Sequence, residues 1–137
     1  MKLSVLAPLV LIASGLLGAA TAAAKAPLGE VSYITDRLVA ARVADRIRKT
    51  CPTIGARFIR AYSEARALQD WALEKGYSRE EVKTFLKDKA EKKKIYARAE
   101  NYLAAHGATP ENVEGFCALG RKEIAGGTIA GSLIYEK

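Results

Sequence analysis

Few side chains in this chain could do covalent, acid–base or metal chemistry. There is a single histidine, His106, and there are two cysteines, Cys51 and Cys117. A zinc or iron centre needs several imidazole or thiolate ligands at close spacing. One histidine and two cysteines far apart in sequence cannot be written as such a set, so no metal ligands and no cofactor are assigned. The haem-attachment spacing of two cysteines followed at once by histidine is absent. Gly126 and Gly127 lack the spacing and the lysine of a phosphate-binding loop, and Gly131 and Ser132 lack the flanking glycines of a nucleophile elbow. His106 falls at an expected helix end, where an imidazole suits exposed carbonyls better than it suits catalysis. Carboxylates remain: Glu64, Asp70, Glu74, Glu80 and Glu81 lie on neighbouring segments. Two of them facing each other across a cleft would suit a hydrolase acting on glycan. Solvated helix surface is their ordinary role, and no catalytic residue is assigned.

Two stretches suit binding better than turnover. Lys87, Lys89, Lys92, Lys93 and Lys94, with Arg98 one turn on, would give a cationic face for anionic lipid or a cell-wall polymer. Asp88 with Lys92 and Glu91 with Lys94 would instead make it a plain ion-paired helix surface. No aromatics interleave these lysines as a nucleic-acid stacking platform requires, which argues against a nucleic-acid partner. The second stretch runs from Gly115 to Arg121. Each of Gly115 and Gly120 costs a helix about 1 kcal/mol against alanine, so something must compensate. Close approach of another element is one explanation; a small-ligand groove with Arg121 at its edge is the other.

The amino end reads as an export signal. Met1 and Lys2 give a positive start, Leu3 to Leu17 is apolar, and Ala19 to Ala24 is small and alanine-rich. Residues 1–24 are expected to be removed after Ala24, although the uncharged run from Leu3 to Ala24 could just span a bilayer as an anchor. Residues 25–137 then form one domain in the periplasm or outside the cell, where disulfides persist. Two cysteines permit one intramolecular pairing, Cys51 with Cys117, against buried free thiols or a bond between chains. The net charge of +7 favours polyanionic surroundings without choosing among them.

These groups must be positioned by helices. After a mobile lead-in over residues 25–30, apolar residues recur at helical spacing from Ser32 to Lys49, with Pro52 disfavouring helix at Cys51. A second helix is predicted from Ile54 to Lys75, burying Ile54, Phe58, Ala61, Tyr62, Ala65, Leu68 and Ala72, with Gly76 as its stop. Ser78 with Glu81 forms a capping box, and Tyr77 with Val82 a hydrophobic staple, so a third helix begins at Arg79. It is read as one long helix to His106, with two helices bent near Glu91 as the alternative. Thr109, Pro110 and Glu111 predict the start of a fourth helix. That helix would bury Val113, Phe116, Cys117, Gly120 and Ile124, end at Gly126 and Gly127, and be followed by a short helical turn. No two-residue alternation bounded by turns is visible. The fold class is all-α: four main helices in a small bundle, one disulfide and a C-terminal turn.

Several of these residues also carry a resemblance. Asp45, Ile47 and Arg48 before Cys51, then Ile54 and Arg57, Gly76 to Ser78, Tyr102 to Ala105, and Cys117 to Arg121 with Glu123 and Ile124 span nearly the whole domain. In them the chain resembles a family of small exported alphaproteobacterial proteins of unknown function. The resemblance implies export and a two-cysteine helical domain, and implies no catalysis; it is not carried by the tail from Ile134 to Lys137. An exported periplasmic module that binds or builds the cell envelope is the resulting expectation, its partner an envelope protein, anionic lipid or cell-wall polymer. A carboxylate-based hydrolase of envelope glycan is one alternative. A carrier of a small apolar ligand, which needs a cavity of several hundred Å³, is the other.

Overall fold

The computed structural model describes residues 24–137, so residues 1–23 of the expected export signal lie outside the described residues. A single 3-10 turn, Leu28–Glu30, precedes α1 (Ser32–Thr50), β1 (Ile54–Ala56), α2 (Phe58–Glu74), α3 (Arg79–Lys87), α4 (Lys89–Ala105), α5 (Val113–Gly126), α6 (Ile129–Ser132) and β2 (Ile134–Glu136). The all-α expectation holds, with the helix count revised and a two-stranded sheet added. No helix among the described residues is long and apolar enough to cross a membrane.

Helix α1 is the central beam, and α4, α5, α6 and β1 all pack on it. Its Val43, Ala44 and Ile47 meet Ala99 and Leu103 of α4, Phe116 and Leu119 of α5, and Leu133 and Ile134 near the C-terminus in the main core. Cys51 and Cys117 are joined by a disulfide inside this core. A second, smaller core gathers Leu28, Ile34, Ala72, Tyr77 and Val82, with Leu38, Leu68, Trp71 and Phe85 at its edge. Both cores and the disulfide lie within residues 28–134, so the domain carries its own packing. Residues of the expected lead-in make contacts here: Lys25 reaches the Gly76 carbonyl and Glu81, and Leu28 is buried.

Four expectations need correction. Ile54 does not begin a helix; Ile54, Gly55 and Ala56 pair antiparallel with Glu136, Tyr135 and Ile134. A strand of three residues is too short for alternation to show, and its partner lies at the far end of the chain. The Tyr135 ring lies over Gly55, where a Cβ would come within 2.7 Å of it. Second, α2 therefore starts at Phe58; Ile54 is buried as expected, but within α2 only Ala72 is fully buried, while Ala61 and Leu68 are partly so. Phe58, Tyr62 and Ala65 face solvent. Third, the long helix is two helices broken at Asp88, whose backbone is extended and whose side chain accepts a hydrogen bond from the Glu91 N–H. Asp88 three residues before Glu91 is itself a helix-start pattern, and it outweighs the Asp88–Lys92 pairing expected from charge alone. Fourth, α5 starts at Val113, capped by Asn112, leaving Thr109 and Pro110 in the preceding turn, and Val113, expected on the inner face, is exposed in the first turn.

The start of α3 is as expected: Ser78 accepts from the Glu81 N–H, and the Glu81 carboxylate accepts from the Ser78 N–H. That hydrogen bond, with the one from Lys25, holds the Glu81 carboxyl below its ordinary range. Gly76 sits at φ 91°, a left-handed stop that lets the chain turn from α2 into α3.

Candidate ligand groove

Helix α2 is anchored at its C-terminal half, and in its N-terminal half only Ala61 packs on the main core. Trp71 stacks on Tyr33 of α1 with ring centroids 4.3 Å apart, and Arg37 lies 3.5 Å over the other partner of that stack, Tyr33. Held this way, the helix leaves a groove of about 420 Å³ between itself, α1 and α3. Its floor is Leu28, Ile34, Leu38, Ala72 and Val82; its walls are Leu68, Phe85, Leu86, Tyr62 and Ala65. Arg66 and Gln69 are its polar members. Arg66 makes no ion pair or hydrogen bond among the described residues, so its guanidinium is free to meet an anion at the rim. A second hollow of about 260 Å³ shares Leu38, Phe85 and Leu86 and continues the apolar floor toward Arg42, Asp45, Lys92 and Tyr96. Burial pushes the Asp45 carboxyl up, but hydrogen bonds and charge from Lys49 and Arg48 outweigh it and leave the group below its ordinary range.

The residues singled out in the sequence fall elsewhere. Of the cationic run, Lys94 pairs with Glu91 at 2.8 Å and Arg98 with Asp36 at 2.7 Å. Lys87 ends α3, while Lys89 and Lys93 lie exposed in the first turns of α4. Only Lys92 touches the second hollow. At Gly120 a Cβ would meet Ile54 at 2.2 Å and Ile47 at 2.8 Å; at Gly115 it would meet the Gly107 carbonyl at 2.0 Å. The space beside both glycines is thus filled by neighbouring residues, and Arg121 pairs with Glu114 on the surface. His106 caps α4, its Nδ1 lying 2.7 Å from the Tyr102 carbonyl. Among the acids, Glu64 pairs with Arg60 and Glu81 is the α3 capping residue. No group of three or more histidine, cysteine or acidic side chains that could hold a metal ion is present among the described residues.

The sequence reading missed two features. The groove is made where the successive helices α1, α2 and α3 meet, and Tyr62 and Ala65, expected in the core, line it with exposed faces. The second is the burial of Glu123, only 4% exposed on the inner face of α5. There it accepts hydrogen bonds from the hydroxyls of Tyr102 and Thr128, which ties α4 and the cap of α6 to α5. The bond to Glu123, then burial, then the acid's charge push the Tyr102 hydroxyl up to about 12. Because the folded value lies above the unfolded one, this stabilisation is complete below about pH 10 and is lost as the pH rises through about 12. In an ultraviolet titration Tyr102 is expected to ionise last. Tyr102→Phe should remove that late step and flatten the loss of thermal stability over the same range; a late step that persists would place it on another tyrosine.

These features define a class: a small, disulfide-stapled helical domain with an apolar surface groove. A family model described as a family of unknown function (DUF5333) matches residues 26–135, and the chain belongs to that family. No curated protein and no solved structure matches the chain.

Proposed function

We propose that the protein is an exported binding module of the cell envelope that holds a small amphipathic ligand, its apolar body in the α1–α2–α3 groove and its anionic head at Arg66. The observation carrying this reading is the groove itself. Its volume of about 420 Å³ falls in the range of small-molecule sites, and its lining is apolar except for Arg66 and Gln69. Export is supported by the order of charge, apolar run and small residues from Met1 to Ala24, by the resemblance to exported proteins, and by a disulfide, which persists outside the reducing cytosol.

A hydrolase has less to work with. Glu80, Glu81, Asp88 and Glu91 all border one hollow, but Glu81 and Asp88 cap helices and Glu91 pairs with Lys94. That leaves Glu80 without a partner carboxylate for acid–base work.

The test is titration of the domain with a fluorescent long-chain fatty acid. Ala65 is exposed, so Ala65→Trp fills the groove without entering a core and should weaken binding about tenfold or more at unchanged thermal stability. Arg66→Glu should weaken a fatty acid but not the matching uncharged alcohol. Equal binding by wild type and Ala65→Trp would remove the groove from the account.

A further inference from the structure

The N-terminal half of α2 carries a second surface, separate from the groove floor. Phe58 is 67% exposed, Ile59 89% and Tyr62 67%, and their spacing puts all three on one face of the helix. Tyr135 of β2 borders the same hollow as Phe58 and Ile59. Only Ala61 in this half of the helix packs on the main core. Large apolar side chains this exposed add little to the packing of the domain, and a contiguous patch of them marks an interaction surface.

Charge identifies what would cover them. Arg48 lies 5.3 Å from the Phe58 ring and Arg57 5.7 Å from the Tyr135 ring. Arg60 is on the exposed face beside Ile59, and Lys49 adjoins Arg48. The acids nearby are fewer: Asp45 is shared among Arg42, Arg48 and Lys49, Glu64 is paired with Arg60, and Glu136 is at the edge. A second copy docking by a two-fold axis would set these arginines against their own equivalents, which opposes self-association. An anionic bilayer meets both halves of the pattern, since phosphates match the arginines while Phe58, Ile59 and the tyrosines enter the headgroup boundary.

We infer that this face docks the domain onto anionic lipid bilayers through insertion of Phe58, Ile59 and Tyr62, with Arg48, Arg57 and Arg60 beside them. Tyr62 also lines the groove, so the docked face opens onto the ligand site. The inference does not depend on the groove's occupant, because Ala65→Trp leaves Phe58 and Ile59 untouched.

Flotation of the domain, residues 25–137, with phosphatidylcholine vesicles containing about 30% phosphatidylglycerol tests it. Wild type should float with these vesicles, float poorly with pure phosphatidylcholine, and lose much of its binding at about 0.5 M salt. The triple change Phe58→Ser, Ile59→Ser, Tyr62→Ser should reduce binding about tenfold or more with thermal stability retained, since all three side chains are exposed. Replacing Lys87, Lys89, Lys92 and Lys93 by glutamine should leave most of the binding in place. Full binding by the triple variant, or binding lost only with the lysines, would overturn the proposal. So would an absence of vesicle binding in a wild type that instead dimerises through this face.

Discussion

Reducing the Cys51–Cys117 bond, or replacing both cysteines by alanine, is expected to lower the unfolding free energy by about 4 kcal/mol. The bond closes a loop of sequence separation 66, and in the chain-entropy treatment the unfolded chain regains about that much freedom when it is cut. Domains of this size have about 5–15 kcal/mol in total, so the melting temperature should fall by roughly 15–25 °C. Cys51 is fully buried between α1 and β1, and Cys117 faces it from α5. The bond therefore ties the central beam to the helix that completes the main core. Mass spectrometry of native protein after alkylation gives a companion reading. Neither sulfur should label without prior reduction, and the chain should begin at Lys25. Labelling of both sulfurs, or retention of Met1, would contradict a disulfide formed after export.

Phe116→Ala should cost about 3–5 kcal/mol, the range for a large aromatic removed from a packed core. Phe116 is 1% exposed, the largest fully buried side chain among the described residues, with Arg46 of α1 5.5 Å from its ring centroid. It joins α5 to α1 and α4, so its loss leaves a cavity that three helices would have to close together. Val113→Ala on the same helix should change stability little, because Val113 is exposed. Chemical unfolding of the two variants side by side checks this, and similar midpoints would mean that the inner face of α5 is not the one described.

Both changes touch positions legible in the sequence. The capping box at Ser78, the left-handed Gly76 and the inner positions Phe116, Cys117 and Gly120 follow from local rules, because each is set by residues a turn or less apart, whereas the cysteine pairing, at a separation of 66, follows from there being only two cysteines. The compensation expected for Gly115 and Gly120 is visible as close contacts with Gly107, Ile47 and Ile54, although which residues would fill that space was not readable. Asp88 shows two local signals in competition: its charge predicts an ion pair with Lys92, and it caps α4 instead. A hydrogen bond to an unsatisfied backbone N–H outweighs an exposed ion pair worth a few tenths of a kcal/mol.

By itself, the chain's order of residues determined an all-helical class, one disulfide, the starts of α1 and α3 and the poverty of catalytic groups. Tertiary structure alone decided that Ile54 pairs with the C-terminal segment, that Glu123 is buried between two hydroxyls, and that Phe58, Ile59 and Tyr62 face outward beside an apolar groove. Helical periodicity says that one face of α2 is apolar. Whether that face is covered depends on what the rest of the chain brings against it, and here α1 and α3 reach only its C-terminal half.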